Sequence, residues 1–105
     1  MFEEYKIKKY LDKNNVCLNN NNHVIDYIIT HNLIDTVKKV LKQVNNFFNG
    51  DDIVLDVDEN YLWFIVFTGM GGCEASGKID ALDELLISEC GDDFLNHIII
   101  SPEFN

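Results

Sequence analysis

Gly72-Cys73-Glu74-Ala75-Ser76-Gly77-Lys78 fits the GxxxxGK pattern of a phosphate-binding loop, in which backbone N–H groups and a lysine hold a nucleotide's phosphates. The segment follows an apolar stretch and precedes a helical one, the setting such a loop needs. Three features oppose that chemistry. Ile79 stands where a Ser or Thr hydroxyl would reach Mg²⁺, Glu74 puts a carboxylate into an anion cradle, and no second strand ends in a metal-binding aspartate. Residues 68–78 are therefore read as a glycine-rich loop without a nucleotide.

The remaining chemistry-bearing residues are weaker still as signals. Asp56-x-Asp58-x-Asn60 opens like a calcium loop, but Tyr61 takes the place of the obligatory glycine and Phe67 that of the bidentate glutamate. Cys17, His23, His31, Cys73, Cys90 and His97 are zinc-ligand types without paired spacing. Ser76 and Ser88 lack the sharp strand–turn–helix context of an activated hydroxyl. Carboxylates are plentiful, but an acid/base couple needs a cleft that separates two pKa values. The sequence reads as a non-enzyme with no cofactor and no metal.

The elements that must position any site follow from periodicity. Residues 3–12 read as a short helix with Ile7, Tyr10 and Leu11 on one face, and Val16-Cys17-Leu18 as a connector that tucks into the core. Val24, Ile25, Ile28 and Ile29 then recur at helical spacing after an asparagine able to cap. His31-Asn32 breaks the pattern, so 23–48 reads as one bent helix or as two, with two favoured. A second amphipathic helix carries Val37, Val40, Leu41, Val44, Phe47 and Phe48 and stops at Asn49-Gly50. Ile53, Leu55 and Val57 alternate with Val54, Asp56 and Asp58, and 61–67 is unbroken apolar, which predicts a β-hairpin turning at Glu59-Asn60. Asp80 is placed to cap a helix bearing Leu82, Leu85, Leu86 and Cys90, with Asp83 and Glu84 in its first turn and Gly91 as its stop. His97 to Ile100 reads as a last short strand ended by Pro102. The expected order is α-α-α-β-β-α-β: one α+β domain over 1–105, with N-terminal helices and a small, mainly antiparallel sheet packed against helices.

Charge is the most informative bulk property. Eighteen acids stand against eight lysines, and there is no arginine. Residues 1–49 hold seven lysines and five acids, whereas residues 50–105 hold one lysine, Lys78, and thirteen acids. So acidic a second half repels nucleic acid and speeds encounter with a basic partner. Acidity also serves solubility alone. Three widely spaced cysteines suit reduced thiols, no apolar run is long enough to span a membrane, and the N-terminus lacks a secretory pattern, so the expected setting is the cytoplasm.

With a two-residue turn, Ile53, Leu55 and Val57 share a face with Leu62, Phe64 and Val66. The other face then holds Val54, Asp56 and Asp58 beside Tyr61, Trp63 and Ile65. An acidic-aromatic strip of this kind suits binding, because tyrosine and tryptophan anchor while carboxylates pair with lysine or arginine. Helices covering both faces would instead make Trp63 part of the core. The candidate partner-binding residues are Asp56, Asp58, Glu59, Tyr61, Trp63, Asp83 and Glu84.

The expected function is a small protein–protein interaction module, of the inhibitor, immunity or anti-defence type, whose acidic half docks a basic surface. A nuclease or other nucleic-acid-binding protein is a fitting partner, with carboxylates standing where phosphates would. Direct nucleic-acid or membrane binding is not expected. The alternatives are a subunit that self-associates through an apolar face and, less favoured, a helix-turn-helix-like DNA-binding regulator using residues 23–44, whose second helix carries Lys38, Lys39 and Lys42.

Overall fold

Asparagine does much of the punctuating in the first half of the chain. In the computed structural model, which describes residues 2–58 and 60–104 (the side chain of Phe2 excepted), the non-glycine residues with positive φ are Asn15, Asn20, Asn32 and Asn49. Asparagine tolerates this left-handed conformation better than most residues, because its short amide bonds the local backbone. Asn15 follows helix α1 (Phe2–Lys13), Asn20 caps α2 (Asn21–Thr30), Asn32 separates α2 from α3 (Ile34–Phe48), and Asn49 terminates α3. The side chain of Asn20 accepts the His23 N–H at 3.4 Å, completing the cap. Two helices separated by a break at His31-Asn32 are thus present as the sequence predicts.

The protein is α+β, and its sheet is built by two similar excursions. Strand β1 (Val16–Leu18) is followed by α2 and α3, which return the chain to β2 (Asp52–Val57) parallel to β1. A hairpin then leads to antiparallel β3 (Leu62–Thr68). Helices α4 (Gly72–Cys90) and α5 (Asp92–Leu95) carry the chain back to β4 (Ile98–Phe104), parallel to β3. The strand order is β1-β2-β3-β4. The sheet is mixed where a mainly antiparallel one was expected. The difference arises because residues 16–18, read as a connector, pair with Ile53, Val54 and Leu55 as a parallel edge strand, and because β4 lies parallel to β3. Three residues are too few to display an alternation.

Two boundaries also differ. The glycine-rich segment is not a loop: Gly71 caps α4, and Gly72 to Lys78 form its first two turns. Ala75, Ile79, Leu82 and Leu86 are buried along one stripe, so the apolar spacing already reached back to Ala75. Asp80 is therefore inside the helix and not its cap, and Asp83 and Glu84 lie mid-helix, beyond the reach of the N-terminal dipole. With its backbone N–H groups committed to a helix, 72–78 offers no phosphate cradle. At the other end, β4 continues through Pro102 to Phe104. An edge strand admits proline where the missing N–H would face away from the sheet.

One apolar core lies between the sheet and the helices. From the sheet it takes Val16, Ile53, Leu55, Leu62, Phe64, Val66, Ile98 and Ile100, and from the helices residues such as Leu11, Ile28, Val37, Leu41, Phe48 and Leu82. The sheet residues of opposite parity, Val54, Trp63, Ile65, Phe67 and Ile99, are only half-buried. Helices thus cover one face, and the other meets solvent. Among the described residues no helix is long and apolar enough to cross a membrane.

Two stability measurements follow. Phe64→Ala, in the fully buried row, is expected to destabilise by about 3–5 kcal/mol in urea titration, and Phe67→Ala, on the uncovered face, by less than about half of that. Equal losses would mean that both faces are covered. Gly77 sits inside α4, where an added Cβ meets nothing within 4 Å. Gly77→Ala is therefore expected to stabilise by about 0.5–1 kcal/mol, and a loss in the same titration would contradict a helical 72–78.

Candidate functional site

The uncovered face is laid out by register. Asp56, Trp63 and Ile99 form one cross-strand row; Cys17, Val54, Ile65 and Ser101 form the next; Asp52, Phe67 and Glu103 form the third. An apolar centre of Val54, Trp63, Ile65, Phe67 and Ile99 is therefore edged by carboxylates at both ends of the strands. All eight lysines lie on helices, four on α1, three on α3 and Lys78 on α4, and no strand carries one. The half-chain asymmetry of the sequence thus becomes a division in space, in which the sheet carries acids alone.

The hairpin tip organises this face. Val57 lies opposite Leu62, and the Asp58 N–H donates to the Tyr61 carbonyl at 3.2 Å, which leaves a two-residue connection at 59–60. Glu59, one of the candidate binding residues, lies outside the described residues. One oxygen of Asp58 accepts the N–H groups of Asn60 and Tyr61, each at 3.1 Å. The other accepts the indole N–H of Trp63 at 2.7 Å. These bonds, that of Asn60 foremost, then the indole of Trp63, hold the Asp58 carboxyl below the ordinary aspartate value. Asp56 is also engaged: its carboxylate accepts the Val57 N–H at 2.8 Å and the Asn19 amide at 3.0 Å.

These acids therefore do two things. Asp58 fixes the turn, holds the indole against the sheet and keeps its charge at neutral pH, and Asp56 ties β2 to Asn19 while charging the same face. A carboxylate has about four acceptor positions, so both retain capacity for a cation from outside. Trp63 is prepaid in orientation, with its N–H bonded and its ring on the open face. A pre-oriented aromatic loses little rotamer freedom on binding.

Behind the turn, the Tyr27 hydroxyl donates to the Asn60 carbonyl at 2.7 Å, and the His97 carbonyl lies 3.4 Å away. The Tyr27 and His31 rings are 4.4 Å apart between centroids, and those of His31 and His97 are 4.7 Å apart. Burial foremost, with the nearby Asp58 charge, raises the Tyr27 hydroxyl above its usual value, which keeps it a donor. This ring cluster buttresses the turn from α2 and the start of β4. Tyr27 and His31 stand four residues apart at the end of α2, one helical turn, but no spacing in the chain brings His97 to them.

The other candidates are placed elsewhere. Tyr61 is at the hairpin end, half-buried. Asp83 and Glu84 lie on α4, behind the sheet; the structure does not bring them onto the strip. Asp83 is half-buried, and burial, assisted by Asp80, pushes its carboxyl up. Phe67 and Asp52 belong to the face although they were not among the candidates; extending the hairpin alternation would have found them. Ile99, Ser101 and Glu103 needed the β3–β4 register. Cys17, Cys73 and Cys90 are free thiols, and among the described residues no three His, Cys, Asp or Glu side chains gather as a metal site. No protein-family model matches the chain, and no curated protein or solved structure matches it.

The depressed Asp58 carboxyl has a pH consequence. Its folded value lies below its unfolded one, so its stabilisation is complete above about pH 3.8, the ordinary value, and is lost as pH falls through the folded value. Asp58→Asn is expected to lower the thermal midpoint at pH 7 and to converge with the parent chain in acid. Emission from Trp63, the only tryptophan, should shift at pH 7 as its indole loses the charged acceptor. A midpoint difference unchanged by acid would show that the charge contributes nothing.

Proposed function

We propose that this protein is an interaction module whose uncovered, acid-edged sheet face docks a cationic surface of a partner protein, in the manner of an inhibitor, immunity or anti-defence protein. The observation that carries the reading is the open face itself. Parallel strand pairs are ordinarily buried on both sides. Here two such pairs flank the hairpin, yet Trp63, Ile65, Phe67, Val54 and Ile99 are left half in water. Contiguous exposed apolar surface rimmed by polar groups marks a contact surface more often than an idle one.

Charge selects the class of partner. The face carries Asp52, Asp56 and Glu103, with Asp58 at its tip, and no lysine. A surface bearing lysines and arginines around an apolar patch complements it, and a nuclease or another nucleic-acid-binding protein has such a surface. In this arrangement Trp63 is the principal aromatic anchor, and the carboxylates at the rim set encounter rate and register. Asp56 and Asp58 contribute twice, by shaping the face and by charging it.

The test is affinity capture from lysate of the source cell at low and moderate salt, with the parent chain and two variants as bait. A stoichiometric basic partner is expected, weakened by salt. Trp63→Ala should weaken capture by about thirtyfold, as a hot spot near 2 kcal/mol implies. Asp52→Asn with Glu103→Gln should reduce the salt dependence while leaving the fold intact. A partner retained by all three baits at every salt concentration would sink the reading. Recovery of the protein alone, indifferent to salt, would favour a self-associating subunit instead.

A further inference from the structure

The outer edge of β4 offers a second surface with a chemistry of its own. Among the described residues β4 has β3 on one side and no strand on the other. In a parallel pair, alternate residues turn their backbone groups toward the neighbour. Leu62 lies opposite Ile98 and donates its N–H to the His97 carbonyl at 2.7 Å, so the backbone groups of residues 99, 101 and 103 face β3. The N–H and C=O groups of Ile98 and Ile100 are thereby turned outward. Pro102, the next outward position, has no N–H to offer. The edge is thus open for pairing over a short window, closed by Pro102 on one side and by α5 on the other.

Beside that window lies a cleft of about 200 Å³, walled by Asp83, Ile87, Phe94 and Leu95 and floored by Ile98 to Ile100. Ile87 and Leu95 are 39% and 51% exposed, and Phe104, at the end of the same strand, is 54% exposed. Three of the exposed large apolar side chains therefore collect along one edge. Every charged residue of α5 and β4 is acidic: Asp92, Asp93 and Glu103. Asp83 adds a half-buried carboxylate to the cleft wall, where burial and the nearby Asp80 disfavour its charge and a cation would offset both.

We propose that this edge receives an extended cationic segment as a fifth strand, with an apolar side chain over Ile87 and Leu95 and a lysine or arginine against Asp83. The proposal rests on the cationic-partner reading and assigns that partner a second point of attachment. Main-chain bonds to Ile98 and Ile100 supply the pairing, and the cleft supplies selectivity, as in other cases of strand addition. A second copy of this chain suits the edge poorly, since pairing β4 with itself would set Asp83, Asp92, Asp93 and Glu103 against their own counterparts.

The probe is a fluorescein-labelled decapeptide with valine and lysine taking turns at every second position and threonine between them, so that both types face the cleft, titrated against the full chain by anisotropy, with amide exchange followed by NMR. Binding is expected to slow exchange at Ile98 and Ile100, and the valine/glutamate counterpart should not bind. N-methylation of one alternation of peptide amides should abolish binding, and methylation of the other should leave it. Asp83→Asn should weaken affinity about tenfold and yet raise the thermal midpoint, because a half-buried, desolvated charge is removed; misfolding cannot produce that combination. Trp63→Ala should leave peptide affinity unchanged. Equal binding of both methylated peptides, absence of binding, or protection confined to the Trp63 face would overturn the edge assignment while leaving the face reading open. Peptide binding at the edge, with partner capture indifferent to Trp63, would overturn the face reading and retain the edge. Protection of Ile98 and Ile100 in a peptide-free dimer would overturn the proposal in favour of self-pairing.

Discussion

Strand β3 is apolar on both sides, and the helices have only one side to cover. Leu62, Phe64 and Val66 point into the core, while Trp63, Ile65 and Phe67 point away from it. Both crossovers, α2–α3 and α4–α5, return to the same face, where α3 packs against α4 and one core takes residues from both. That geometry gives a well-filled core and leaves the second face uncovered. The hydrophobic effect makes it a standing source of free energy for whatever covers it. The functional reading, the division of charge and the role of the hairpin tip all descend from this constraint.

Charge follows the same partition. A sheet edged by aspartates beneath lysine-bearing helices is polarised, and a polarised surface orients an incoming partner before contact. The acids nearest the apolar centre are not loose surface charges. Asp58 closes the turn and holds the Trp63 indole, and Asp56 bonds Asn19 beyond the end of β1. Groups that both shape and charge a face are hard to replace singly, because an amide can imitate their geometry but not their field. Asp83 is the contrasting case: it is desolvated by apolar neighbours, and burial works against its charge.

Much of the architecture was legible in the residues, and the reasons are local. Helix faces such as Val37, Val40, Leu41 and Val44 repeat at 3.6, the hairpin alternates at 2, and a two-residue connection sets its register from the turn outward. Asparagines at 15, 20, 32 and 49 took up the left-handed positions that end or begin helices. What misled was equally local. Gly71, Gly72 and Gly77 suggested a loop, but the stripe from Ala75 to Leu86 outweighs the intrinsic cost of a glycine in a helix, about 1 kcal/mol. Pro102 suggested a stop, but at an outward-bonding position of an edge strand its missing N–H breaks no ladder bond.

The sequence by itself determined the α+β class, the helical periodicity with its break at His31-Asn32, the hairpin with its alternating faces, and the acidity of the second half, because each is written in neighbouring residues. Only the tertiary structure decided that β1 and β4 flank the hairpin in parallel, that one face of the sheet stays uncovered, and that Tyr27, His31 and His97 gather behind the turn. It also decided that Asp83 belongs to the β4 edge and not to the Trp63 face. Those outcomes depend on which way each crossover folds back and on which strand lies beside which, and such long-range choices leave no periodicity in the chain to read.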